Sequence, residues 1–252
     1  MDYLNFKKAF FMFKNRKSSA LNLPDLLQEI IALKDTMNDK RKDFTLPDSH
    51  SVIITGNYLV GLLEGDGSFY LDKQNVTTVR VSLVTTTVNR FVLEKIREFF
   101  LSLLDEYSYM LGSTTKLINI YDKKVKGNNK PVSILEIYQI DFICNILIPY
   151  FDNIEFRTKK NLDYLDFKII AFLILEGKYL TAKGKELIIK LGDTMNNNRL
   201  STNSNILVLD EITKSELDLL IKSEPLIHID SEGRAMIISE KKRFYFTRFS
   251  FS

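Results

Sequence analysis

The chain has one cysteine, two histidines, five prolines and no tryptophan in 252 residues. A single thiol, Cys144, excludes an internal disulfide framework and a cysteine-based zinc centre. His50 and His228 alone cannot build a multi-histidine metal site. No apolar run reaches the roughly 20 residues that a membrane-spanning helix needs, so no membrane partner is expected. Charge of either sign is also scarce in excess: 35 basic residues against 32 acidic give a net +3, too small a bias to announce a nucleic-acid binder. What is abundant is Asn, Lys, Ile, Tyr and Phe, the mark of an AT-rich coding genome, which points to an organelle such as the mitochondrion. The apolar content suffices for one large core or two modest ones.

The most informative stretch is Tyr58-Leu59-Val60-Gly61-Leu62-Leu63-Glu64-Gly65-Asp66-Gly67-Ser68-Phe69-Tyr70. An apolar helix carries Gly61 and Gly65 one turn apart and ends in a carboxylate, Asp66. Small residues at i and i+4 let two helix backbones approach closely. A terminal carboxylate then lands near its counterpart, and two such groups can bind a divalent metal beside a phosphate. The plainer reading of the same residues is a buried helix with a glycine C-cap.

Leu59 to Gly67 resemble the LAGLIDADG motif without a gap, and Ser68-Phe69 continue it. The resemblance implies an α+β fold: a LAGLIDADG homing-endonuclease-like half-domain, αββαββα, with an antiparallel saddle sheet, flanking helices and a small C-terminal extension. It implies that Asp66 is the catalytic residue and a Mg²⁺ ligand, and that Gly61 and Gly65 are the close-packing positions. It also implies a second LAGLIDADG half as partner. The stretch Val84-Thr85-Thr86-Thr87 departs from the family, many members of which carry a glutamine there.

An internal repeat extends the resemblance. Asp2-Tyr3-Leu4-Asn5-Phe6-Lys7 recurs as Asp163-Tyr164-Leu165-Asp166-Phe167-Lys168. Asp35-Thr36-Met37-Asn38 recurs as Asp193-Thr194-Met195-Asn196. Two matched blocks in one order indicate a duplication. This reading rejects a transit peptide at Met1–Arg16. It divides the chain into the helical tail of a truncated first repeat (1–45), a complete repeat (46–200) and an extension (201–252). The chain then resembles the C-terminal portion of a double-motif protein. Ile169 to Gly177 offers a competing, degenerate second motif, but lacks the terminal Asp-Gly and a following strand.

Downstream of Gly67 the pattern alternates. Ser68, Tyr70, Asp72 and Gln74 share one strand face, and Thr78, Arg80 and Ser82 the polar face of the next, with Asn75 at the turn. A twisted β-ribbon fits the major groove, so Ser68, Tyr70, Gln74, Thr78, Arg80 and Ser82 are candidate nucleic-acid contacts; a solvent-facing sheet would read alike. Asp72 is an awkward neighbour for phosphate. An apolar helix around Phe91–Phe100 follows, and a second hairpin is expected from Thr115–Tyr121 and Val132–Ile140. Its basic connection, with Lys123, Lys124 and Lys126, suits phosphate contacts or is a plain solvated tip. Beyond residue 200, Ser215–Ile221 reads as a helix, and Leu226–Asp230 with Ala235–Ser239 as a hairpin. Lys241, Lys242 and Arg243 open a cationic and aromatic stretch that can meet RNA phosphates and bases, or form an ordinary edge strand.

Two functions compete. One is half of a split or dimeric homing endonuclease that cuts double-stranded DNA with Mg²⁺. The other is a non-catalytic RNA-binding descendant, an intron maturase or a domesticated mitochondrial ribosome-associated protein. A separate N-terminal fragment is a better partner than a second copy, because residues 1–45 would occupy the space of the partner's tail.

Overall fold

The computed structural model describes residues 2–18, 21–37, 52–74, 76, 78–104, 117–124, 127, 130–196, 207–229, 235–239 and 242–244. The calls on Asn38, Asn75, Thr115, Lys126 and Lys241 lie outside them. The chain divides into two compact units, Met1–Val52 and Ile53–Ser252.

The first unit is a pair of helices, α1 (Asp2–Lys14) and α2 (Leu23–Lys34). Asn22 starts α2 by accepting from the Asp25 amide, with a proline in the first turn where its missing N–H costs nothing. The Asn5 amide donates to Thr36 Oγ1 at 2.9 Å, and Thr36 in turn donates to the Leu33 carbonyl.

The second unit is α+β. Helix α3 (Gly56–Asp66) starts at Thr55, whose hydroxyl accepts from the Tyr58 amide. It runs directly into β1 (Gly67–Leu71), which pairs with β2 (Val79–Thr86). Helix α4 (Arg90–Leu101) follows, burying Leu93, Ile96 and Phe100 at helical spacing. Strands β3 (Ile118–Lys123) and β4 (Val132–Ile137) complete an antiparallel sheet of order β1-β2-β4-β3. Residues 140–152 are helical throughout (α5), with a π turn at Ile143–Leu147. Helices α6 (Lys160–Leu175) and α7 (Ala182–Asp193) then close the sheet's underside.

The strands alternate as the sequence demands. Phe69, Val81, Ile137 and Ile118 lie in register across the underside and are all buried. Phe69 sits at the centre of an aromatic cluster, with ring centroids 5.2 Å from Phe167, 5.6 Å from Tyr164 and 5.9 Å from Phe156. Such pairs add about 0.5–1.5 kcal/mol each beyond their buried area. The second hairpin is one residue set shorter than expected: β4 ends at Ile137, and Ile140 opens a helix. The run Ile169–Gly177 lies largely within α6 and leads to another helix, not to a strand.

The C-terminal extension belongs to this same compact unit rather than standing apart. Helix α8 (Glu211–Lys222) is capped by Asp210, which accepts from the Thr213 amide at 2.6 Å. Strands β5 (Ile227–Ile229), β6 (Ala235–Ile237) and β7 (Lys242–Phe244) form a small antiparallel sheet. Lys178, almost wholly buried, donates to the Leu220 and Ser223 carbonyls and the Ser223 hydroxyl at the end of α8. The Glu176 carbonyl accepts from Leu226 and Ile227, and Gly177 turns the chain there with φ +76°. Any side chain at Gly177 would be strained and would strike Ile227.

Candidate nucleic-acid interface

The site is built on α3. Leu59, Val60 and Leu63 bury one face against the sheet. The opposite face, with Asn57, Tyr58, Gly61 and Gly65, is exposed. A Cβ at Gly61 or Gly65 would meet nothing within 4 Å. Nothing within the described residues therefore requires glycine at either position. Gly67 is different: a Cβ there would lie 2.6 Å from the Leu63 Cα and carbonyl oxygen. That close approach lets the helix pass straight into β1, with the Gly67 amide donating to Leu63.

Asp66 ends the helix and is exposed. Its neighbour Glu64 is committed elsewhere: it accepts from the amides of Arg157 and Thr158, the latter at 2.7 Å, just ahead of α6. Among the described residues no three His, Cys, Asp or Glu side chains gather into a metal site. Mg²⁺ needs few protein ligands and retains waters and phosphate oxygens. Asp66 fits one carboxylate of such a site.

The open face of the sheet carries Ser68, Tyr70, Arg80, Ser82, Val84, Tyr121, Ile134 and Glu136. Its chemistry centres on Glu136. The Tyr70 hydroxyl donates to Glu136 Oε1 at 2.8 Å. Arg80 donates to Glu136 Oε2 at 3.0 Å and to Asp72 Oδ2 at 3.2 Å, and lies 5.6 Å from the Tyr138 ring centroid. Partial burial opposes the Arg80 charge, but Glu136, with Tyr70 and Asp72, outweighs it and holds the guanidinium pKa above its usual value. Burial, then the hydrogen bond to Glu136, pushes the Tyr70 phenol up as well. Arg80 is thus bracketed by two carboxylates. Beside it Val84 and Tyr121 are exposed.

The remaining candidates separate. Thr78 is buried, and Ser82, although on the open face, is covered by its neighbours, so neither hydroxyl is presented to solvent. Ser68 donates to Asn196 Oδ1 at 3.2 Å, tying β1 to the turn after α7. Gln74 is exposed, its amide donating to Asp72 in a local turn. Lys123 and Lys124 are exposed at the end of β3. Lys242 and Arg243 lie on β7. The structure therefore brings Tyr70 and Arg80 together with Asp72 and Glu136, and leaves the lysines at the periphery.

A Gly-faced helix ending in a carboxylate, feeding an antiparallel β1-β2-β4-β3 saddle backed by helices, is the fold of a LAGLIDADG homing endonuclease. Residues 59–171 match the model of the LAGLIDADG endonuclease family. The chain is 23% identical over 211 residues to the uncharacterised mitochondrial protein RF1 of Saccharomyces cerevisiae, covering 81% of this chain and 43% of that one. It is 24% identical over 141 residues to the probable intron-encoded endonuclease 2 of Neurospora crassa, covering 56% of this chain and 27% of that one. It spans less than half the length of either relative. Among solved structures, the LAGLIDADG homing endonuclease I-GzeII in complex with its DNA target superimposes with a TM-score of 0.57 at 20% identity, over 79% of this chain and 68% of that one. I-LtrWI bound to target DNA gives 0.53 at 22% identity, over 79% and 66%.

Proposed function

We propose that this chain is one half of a mitochondrial LAGLIDADG endonuclease that cuts double-stranded DNA with Mg²⁺ once a second LAGLIDADG half is in place. The observation that carries this reading is Asp66: an exposed carboxylate at the tip of a helix whose outer face is kept bare by Gly61 and Gly65. Packing a second motif helix against that face sets a second carboxylate beside Asp66. Mg²⁺ held between them would neutralise charge at the scissile phosphate. Asp66 ends α3, and Gly67 lets the helix pass directly into β1 of the saddle. Asp66→Asn should abolish Mg²⁺-dependent cleavage by the assembled protein and leave duplex binding nearly intact. Undiminished cleavage removes Asp66 from the mechanism. The likeness to a mitochondrial protein of Saccharomyces cerevisiae supports the mitochondrial placement.

The bracketed Arg80 favours a second reading, a non-catalytic RNA-binding descendant. A guanidinium already engaged by Asp72 and Glu136 is poorly placed to meet phosphate, and threonines occupy positions 85–87. On that reading the segment from Lys241 onward supplies affinity through phosphate and stacking contacts. Truncation after Glu240 should then weaken RNA association at least tenfold, about 1.4 kcal/mol. Unchanged RNA binding beside tight, specific duplex-DNA binding restores the endonuclease alone.

A further inference from the structure

The Arg80 network occupies one end of the open sheet face, and the rows beyond it are apolar. Antiparallel register sets Val84 opposite Ile134, and Ile134 opposite Tyr121, so one row crosses β2, β4 and β3. Val84 is 36% and Tyr121 43% exposed, and Ile134 is half-buried on the strand between them. The next row on the same face runs Thr86, Val132 and Lys123. Neighbouring strands stand about 4.8 Å apart, so the first row spans about 10 Å, inside the roughly 12 Å width of a B-DNA major groove.

Neither Val84 nor Ile134 carries a hydrogen-bond donor or acceptor. A polar base edge pressed against them loses its water and gains no partner, a net cost. Guanine O6 and N7, adenine N6 and N7 and cytosine N4 all suffer that loss. Thymine places an apolar group on its major-groove edge, the C5-methyl, and its remaining acceptor, O4, matches the one donor in the row, the Tyr121 hydroxyl. The nearby groups that could read the other bases are engaged. Glu136 holds Tyr70 and Arg80, and Arg90 is held by Asp122 at 2.8 Å and Glu94 at 3.1 Å. Lys123 is exposed at the end of the second row, suited to the phosphates that flank the groove.

We infer that the Val84–Ile134–Tyr121 row reads thymine C5-methyl groups, so that this chain selects a half-site with thymines where β2, β4 and β3 cross the groove. The inference rests on the reading above that the chain is half of a duplex-DNA endonuclease. It adds the chemistry by which this half chooses its sequence: apolar contact to methyls, with the arginines of the face withheld. The chain's abundance of Asn, Lys, Ile, Tyr and Phe marks AT-rich coding DNA, and a target in such a genome is rich in thymine. RNA is a poor occupant of this row on two counts. Uracil lacks the methyl, and the major groove of an A-form helix is too deep and narrow for side chains to read.

The test enriches duplexes from a random-sequence pool on the full chain, then remakes the enriched duplex with deoxyuridine at each fixed thymidine. Deoxyuridine pairs as thymidine does and lacks only the methyl. Each buried methyl is worth a factor of about four in affinity, so losing two should weaken binding roughly tenfold or more, with the salt dependence unchanged. Lys123→Gln should do the opposite, lowering the salt slope by about 0.9 and keeping the preference for thymidine. Val84→Thr combined with Ile134→Thr keeps β-branched side chains in the strands and should bind both duplexes within about twofold of each other. A deoxyuridine duplex bound as tightly as its parent by the unmodified chain overturns the inference and leaves the endonuclease reading standing. A methyl preference that persists in the double variant also overturns it, because another surface then reads the methyl. Enrichment of no duplex, beside retained RNA, overturns the inference and the endonuclease reading together.

Discussion

Replacing Arg80 by methionine keeps the aliphatic length and removes the guanidinium that joins Asp72 to Glu136. The Glu136 side chain is 11% exposed and that of Arg80 28%. Breaking a fully buried pair costs about 3–5 kcal/mol, and an exposed pair contributes about 0–1 kcal/mol. The intermediate exposure places this loss at about 2 kcal/mol. For a unit of this size that is a fall in Tm of roughly 4–8 °C. Glu136→Gln removes the charge while keeping an oxygen for the Tyr70 hydroxyl. Combined with Arg80→Met, it should cost less than the sum of the single changes, with a coupling of about 1–2 kcal/mol. Urea unfolding of the four proteins, read at constant m, supplies the cycle. An Arg80→Met protein within about 0.5 kcal/mol of the parent, as for an ordinary surface change, would refute the bracketed network. If that same protein lost duplex binding, Arg80 would be a free base-reading side chain.

Other outcomes follow from the same geometry. Gly67→Ala places a methyl 2.6 Å from Leu63 backbone atoms and should cost about 1–3 kcal/mol in thermal unfolding. Lys178→Met takes a donor from the Ser223 carbonyl, while the Leu220 carbonyl keeps the Ser223 amide and hydroxyl, and should cost about 1–3 kcal/mol, with hydrogen exchange rising first in α8. The Tyr70 phenol is raised by burial and by Glu136, so its stabilisation is complete below a tyrosine's usual pKa of about 10 and is lost as pH climbs through the folded value. Tyr70→Phe should therefore flatten part of the alkaline fall in stability, measured by Tm from pH 8 to pH 11.

The motif helix and the strand faces were legible because their signals are local. Gly61, Gly65 and Asp66 fall within one short run, and side-chain alternation assigns Phe69 and Val81 inward without knowledge of neighbours. The identity of the neighbours was not legible. Arg80 and Glu136 lie 56 residues apart and meet only because β4 inserts between β2 and β3. Thr78 and Ser82 read as exposed by alternation and are buried. Glu64 stands two residues before Asp66 in the motif and is an acceptor for Arg157 and Thr158, which sit 93 and 94 positions further on. Residues 140–152 are largely apolar without a clear period, which does not distinguish strand from helix, and β4 ends at Ile137 rather than at the expected Ile140. Lys178 carries no sign in the sequence that its charge is buried against a distant helix end.

The central claim is that the bare glycine face of α3 receives a second motif helix and so sets a second carboxylate beside Asp66. Disulfide trapping tests it most directly. Cys144 is buried, and desolvation raises its thiol pKa far above the ordinary range, so the native thiol is silent. Gly61→Cys in the full chain, assembled with a second LAGLIDADG repeat that carries cysteine at its matching glycine, should then link the two polypeptides under mild oxidation. Native mass measurement should show the joined species and no free chain. Two free thiols and a stable, well-folded chain of unlinked mass would contradict the account.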